Sequence, residues 1–177
     1  DLVRSRGLGD VYKRQDPGYA IVGYGVIEFK SNRFSVVDYG AITTNAGTPF
    51  ERRLELIYDD LNLLMGKFHP EAMSIEKLFY NTNAKTVIDV AQARGVTVLA
   101  AKKNNIPIFE YTPLQVKQSV VGYGRAEKKQ VQEMTRIILK LAKIPKPDDT
   151  ADALAMAICH AHASGSLMGK LNSMGIR

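Results

Sequence analysis

DPGYAIVGYGVIEFKSNRFSVVDY, residues 16–39, is the stretch from which the rest of the chain is read. Asp16-Pro17-Gly18 is a turn signal. After it, Ile21, Val22, Tyr24, Val26, Ile27 and Phe29 predict one strand, and Phe34, Val36, Val37 and Tyr39 predict its antiparallel partner. Ser31-Asn32 supplies the turn between them. Ala41-Ile42-Thr43 either continues the second strand or starts a third.

Beyond the hairpin the period changes from two to between three and four. Thr48-Pro49-Phe50-Glu51 marks a helix start, with Thr48 as cap, Pro49 in the first helical position and Glu51 closing a capping box. Phe50, Leu54, Ile57, Leu61, Leu64 and Phe68 then form the apolar stripe of a helix laid on a sheet, ended by His69-Pro70. Ala72-Met73-Ser74-Ile75 is short and apolar enough for a buried strand, with Glu76 at its carboxyl end. A helix rich in small residues follows over 83–103, a strand over 107–111, a short helix from Thr112-Pro113 to about Val121, and a longer one over 126–141. A last helix starts near Asp149. A hairpin followed by strands alternating with helices predicts an α/β fold with a mixed sheet.

At 177 residues the chain is long enough for one domain with a proper core, and its hydrophobic and charged fractions are those of a globular protein. No apolar run reaches the ~18–20 residues of a membrane span, and no secretory leader is recognisable. Cys159 stands alone, so no intramolecular disulfide forms, which fits a cytoplasmic location. The net charge of +6 is unevenly spread: eleven Lys or Arg lie between Arg94 and Lys146 against Glu110, Glu127 and Glu133. That is either a solvated basic face or the footprint of a nucleic acid.

Four acids sit where a surface acid is not expected: Asp16 in its turn, Glu76 ending a buried strand, and Asp149 and Asp152 at the head of a small-residue helix. Oxygen ligands without Cys or His suit a hard divalent cation. Spacing leaves two pairs open, Asp149 with Asp152 at i and i+3 and Asp148 with Asp152 at i and i+4. A lone Asp at a helix start is ordinarily a cap, but three acids in five residues repel one another and call for a compensating cation. His160 and His162, two apart on a helix, point away from each other and read as structural or solvated, and Cys159 as core. Phe79-Tyr80 is either a core edge or an aromatic wedge on which opened bases stack.

Five blocks in order, Asp16-Pro17-Gly18 with Gly23-Tyr24-Gly25-Val26, Ile75-Glu76-Lys77-Leu78-Phe79, Ala91 to Val96, Val116 to Gly122, and Ala151 to Ala157, resemble the RuvC family of bacterial Holliday junction resolvases, in the RNase H-like superfamily. The resemblance runs from Asp16 to about His162. It implies a five-stranded mixed sheet with helices on both faces, and a homodimeric, Mg²⁺-dependent endonuclease that nicks two opposed strands of a four-way DNA junction in recombination and repair. Two Mg²⁺ per subunit are expected, with Mn²⁺ able to substitute. It assigns Asp16, Glu76, Asp149 and Asp152 as catalytic metal ligands, places Lys117 and Lys128 on DNA and Phe79 near the crossover, and adds the RuvA–RuvB branch-migration complex as partner.

Family members run an apolar strand of the type Ile-Leu-Gly-Ile into Asp-Pro-Gly, where this chain has Tyr12-Lys13-Arg14-Gln15. Residues 1–15 show no strand period and read as a foreign leader, followed by a resolvase domain over 16–165 and a tail over 166–177. The sheet is then expected to lack its central strand or to fill that place with Tyr12 to Gln15. Other readings of the same acids are a related nuclease acting on RNA, a junction-binding protein without cleavage, and an actin-like ATPase. The last needs two such domains, and the length supplies one.

Overall fold

The computed structural model describes the backbone of residues 4–15, 19–45, 47–77 and 84–173, and side chains within 21–45, 47–77 and 88–165. Three long strands come first, β1 (Arg4–Gln15), β2 (Tyr19–Lys30) and β3 (Arg33–Thr44), followed by α1 (Phe50–Phe68) and β4 (Ala72–Glu76). Then come α2 (Ala84–Lys103), β5 (Ile108–Tyr111), α3 (Pro113–Val121), α4 (Lys128–Ile138) and α5 (Asp148–Ser173). The strands lie in the order β3-β2-β1-β4-β5. β1, β2 and β3 pair antiparallel, while β4 runs parallel to both β1 and β5, so the sheet is mixed.

Alternation along β2 builds both faces of this sheet. Val22, Tyr24 and Val26 point into a core shared with Ile57 and Leu61 of α1 and with Ala93, Ala100 and Ala101 of α2. Ile27 and Phe29 point to the other side, where α5 packs with Val116 and Val120 of α3 and Val131 of α4. A bulge where Val26 pairs Asp38 and Ile27 pairs Val36 leaves Val37 as the extra residue of β3. Ala41-Ile42-Thr43 continues β3 and starts no further strand.

Three expectations are corrected. The first fifteen residues do contain a strand, and β1 is the central one. The segment set opposite β4 is Gly7-Leu8-Gly9-Asp10, paired with Ala72, Met73, Ser74 and Ile75, and not Tyr12-Lys13-Arg14-Gln15. The physical reason lies in β4, whose residues 72–75 are all buried. A neighbour of two glycines and a leucine, with its one acid at the carboxyl end, enters such a centre more cheaply than Tyr-Lys-Arg-Gln with its two charges. Second, α1 starts at Phe50 with Pro49 in the cap position and no side-chain cap bond. Thr48 serves through its backbone instead, its carbonyl accepting from Arg53 Nε at 2.9 Å. Capping boxes lie instead on α3, where Thr112 accepts from the Gln115 N–H and Gln115 accepts in return from the Thr112 N–H, and on α4, between Glu127 and Gln130. Third, α4 ends at Ile138, three residues short of the expected Leu141.

Candidate active site

Glu76 is delivered by β4. Four buried residues precede it, so the strand is anchored, and the carboxyl end emerges half-buried at the sheet edge of the core. Two contacts hold that end in place. The Lys77 N–H donates to the Tyr111 carbonyl at 2.9 Å, extending the pairing with β5. Arg94 of α2 pairs with Glu110 of β5 at 2.6 Å and donates Nε toward the Glu76 carbonyl at 3.4 Å.

The other acids are delivered by the first turn of α5, and two glycines explain how this helix comes so close to the sheet. Gly23 and Gly25 lie two apart on the α5 face of β2. A Cβ on Gly23 would sit 2.2 Å from the Asp149 carbonyl oxygen, and one on Gly25 would sit 2.6 Å from Leu154. Only glycine leaves room for the helix there. Thr150 adds a fixed point, its hydroxyl donating to the Gly40 carbonyl of β3 at 3.0 Å. From Ala151 to Ile158 the helix is buried almost all round: Ala151, Ala153, Leu154, Ala155, Met156, Ala157 and Ile158 are each at most 2 % exposed. Asp152 is the acid among them that stays half-exposed, its side chain 17 % accessible.

Glu76 and Asp152 thereby reach one cleft of about 200 Å³, which Lys117 of α3 and Lys128 of α4 also line. Its floor is apolar, made by Val116, Val131, Ala155 and Met156. Lys128 Nζ stands 3.3 Å from Asp152 and 3.3 Å from Asp148. Partial burial pulls its pKa down, but the charges of Asp152 and Asp148 outweigh that and leave it raised. Asp148 also bonds Lys146. Chiefly that bond, reinforced by Lys128 against the opposing effect of burial, lowers its pKa to about 2.

Of the acids expected to act together, the structure therefore brings Glu76 and Asp152 to the cleft. Asp149 is fully buried behind it, under β2, and does not line it. Asp16 and Phe79 lie outside the described residues. Asp148 is held by two lysines, so it is Asp152, and not its i−4 neighbour, that faces the cavity. Among the described residues no three acid, His or Cys side chains already form a metal cage. The donors present still fit a divalent cation: they are hard carboxylate oxygens, and an ammonium group stands against Asp152 where positive charge is called for.

Around the cleft the basic segment is only partly neutralised. Glu110 is taken by Arg94, Glu133 by Arg136, and Lys128 by Asp148 and Asp152, while Arg125 and Lys129 are exposed. His160 is buried, its Nδ1 2.9 Å from the Tyr111 hydroxyl and its ring stacked on Phe109, and burial lowers its pKa. His162 lies 3.0 Å from Ser119 Oγ. Cys159 is buried and its thiol is pushed up to about 11 by that burial. His160 and Cys159 are buried and structural and His162 is exposed to solvent, in line with the sequence reading. The sequence reading missed the paired glycines of β2, the apolar floor and the Lys128–Asp152 pair. The glycines carried a usable signal, since two on one strand face ahead of an alanine-rich helix mark a close helix-sheet approach.

The profile of the family described as "Crossover junction endodeoxyribonuclease RuvC" matches residues 14–160. A curated crossover junction endodeoxyribonuclease RuvC from Ruminiclostridium cellulolyticum is 62% identical over 156 residues, 87% of this chain and 94% of the relative. Its counterpart from Clostridioides difficile is 56% identical over 160 residues, 90% and 94% of the two chains. Among solved structures, Thermus thermophilus RuvC aligns with a TM-score of 0.78 at 29% identity, covering 90% of this chain and 94% of that one. The same protein in complex with a Holliday junction substrate aligns with a TM-score of 0.78 at 28% identity, over 92% and 96%.

Proposed function

The chain belongs to the RuvC family of crossover junction endodeoxyribonucleases, and from that membership we propose how its own residues cut a four-way DNA junction. It is a divalent-metal-dependent endonuclease of DNA recombination and repair. The observation that carries the proposal is the single cleft in which Glu76 and Asp152 face Lys117 and Lys128. Glu76 and Asp152 hold the cation, with Asp149 and Asp16 completing the family's set of four. When bound, the metal supplies Lewis acidity toward the scissile phosphodiester. Lys117 and Lys128 bind backbone phosphate, the exposed lysines beyond them hold the arms, and Phe79 acts on bases near the crossover. Val116, Val131 and Met156 exclude water beneath the carboxylates, which strengthens every charge interaction above them.

The metal is read as Mg²⁺, two per subunit, with Mn²⁺ able to substitute, and the fold as RNase H-like. Two opposed nicks ask for two sites related by a two-fold axis, hence a homodimer. Its natural surface is the outward stripe of α2, where Ile88 and Leu99 are exposed and nothing lies within 4 Å of a Cβ placed on Gly95. Ala93 of the same helix faces the other way and is buried in the core. The RuvA–RuvB complex and a cytoplasmic location complete the reading, in keeping with a chain in which no described helix is long and apolar enough to cross a membrane.

The strand register favours a second candidate for the acid of β1. Asp10 is paired with Ile75, the residue before Glu76, whereas Gln15 lies five positions further along the strand, roughly 17 Å at ~3.3 Å per residue. Asp10 is therefore the alternative to Asp16 in this chain. The test is cleavage of a synthetic four-way junction with and without Mg²⁺ by the wild type, Glu76→Gln, Asp10→Asn and Asp16→Asn. Wild-type cleavage lost in Glu76→Gln supports the site, and whichever of Asp10→Asn and Asp16→Asn is also dead identifies the fourth acid. Full activity of Glu76→Gln overturns the assignment. Cleavage by neither wild type nor variants, with binding retained, leaves a junction-binding protein.

A further inference from the structure

Lys128 has been placed above on substrate phosphate, yet its position is that of a cation on the metal-binding carboxylates. It opens α4 as the first helical residue after Glu127, directly across from the first turn of α5. Its Nζ bridges Asp148 and Asp152 at 3.3 Å each. The two carboxylates differ in where they stand. Asp148 keeps Lys146 if Lys128 leaves, so its charge stays compensated. Asp152 faces the cleft, and it is the one offered to a divalent ion.

A divalent cation on Asp152 and an ammonium group a few ångströms away on the same carboxylate repel each other, so the two compete for it. Lys128 has the means to yield. Its side chain is 43 % exposed on a flexible four-carbon stem, and it lines the same cleft in which phosphate would lie. The exchange conserves the charge around Asp152: an ammonium leaves as the metal arrives, and a phosphate then offers the displaced ammonium a new anion.

We propose that Lys128 is the resident counter-ion of Asp152, competing with the divalent metal for that carboxylate in the free protein and passing to substrate phosphate once the metal is bound. This rests on the reading of Asp152 as a metal ligand. It makes Lys128 a residue that weakens metal binding before substrate arrives, so that a tight metal site is completed only with DNA present.

The test is Mn²⁺ titration of the metal-free, DNA-free protein by calorimetry, with Lys128→Gln, Lys128→Arg, Asp152→Asn and Lys146→Gln beside the wild type. Lys128→Gln should bind Mn²⁺ about 5- to 10-fold more tightly, the size of a typical coupling between two charged sites. Lys128→Arg, which keeps the charge, should bind no more tightly than wild type. Lys146→Gln, which removes a charge only from Asp148, should stay within about twofold. Equal or weaker Mn²⁺ binding by a folded Lys128→Gln, while Asp152→Asn loses it, overturns the proposal and leaves the metal site standing. Wild-type affinity in Asp152→Asn overturns the site itself and the proposal with it.

Discussion

Asp152 and Asp149 are three residues apart on one helix, yet one is 17 % exposed by its side chain and the other fully buried. That difference predicts different variants. Glu76→Gln and Asp152→Asn should each lower junction cleavage by roughly 100-fold or more while binding stays intact or tightens, because a negative charge near phosphate is removed. Single-turnover cleavage and a gel-shift assay measure the two effects separately. Asp148 carries a pH signature instead. Its carboxyl is held near 2 instead of its ordinary 3.8, so the stabilisation from its lysines is complete above about pH 4 and is lost as pH falls toward 2. Asp148→Asn should therefore melt slightly below wild type at pH 6, by about 1–3 °C given how exposed Lys146 is, and coincide with it below about pH 2. A gap that persists in strong acid would mean that Asp148 acts through something other than its charge.

Between elements, the decisive contact is α5 on β2. A methyl group at Gly23 would overlap the Asp149 carbonyl, which is backbone and cannot rotate away. Gly23→Ala should cost about 3 kcal/mol or more, on the order of 6–12 °C in melting temperature for a domain of this size. It should also lower cleavage by a larger factor than an equally destabilising change in α1, because α5 carries the acids. Scanning calorimetry set beside cleavage rates distinguishes this from a plain stability loss. On the opposite face, α2 presents Ile88, Gly95 and Leu99 outward. Gly95→Glu has open space around it and should fold, yet halve the particle mass in light scattering if this stripe joins two protomers. An unchanged mass would move the interface elsewhere.

For the whole molecule, the start of the chain sets how the sheet is completed. β1 runs through Gly7-Leu8-Gly9-Asp10 beside β4, which leaves Tyr12-Lys13-Arg14-Gln15 paired only with Ala20 to Val22 and Tyr19 at the far end of the hairpin. Replacing residues 1–15 by Met-Ile-Leu-Gly-Ile ahead of Asp16 offers an apolar central strand that enters with its acid last. We expect the exchanged chain to melt higher and to cut junctions faster, read from paired thermal melts and Mg²⁺-dependent cleavage. Equal stability and equal activity would mean that the present β1 meets the needs of the sheet as well as the apolar one does.

The sequence by itself determined the order of elements from β2 onward, the existence of the β2–β3 hairpin, the apolar face of α1 and the identity of Glu76 and Asp152 as acids out of place. These are local properties: side-chain period, turn chemistry and the burial implied by an apolar run all act within a few residues. Tertiary structure decided the rest. Which segment of residues 1–15 lies against β4 depended on the burial of Ala72 to Ile75, some sixty residues away. Which of Asp148, Asp149 and Asp152 faces the cleft depended on two glycines of β2 and on lysines from two other segments, and burial against distant partners is what a one-dimensional pattern does not encode.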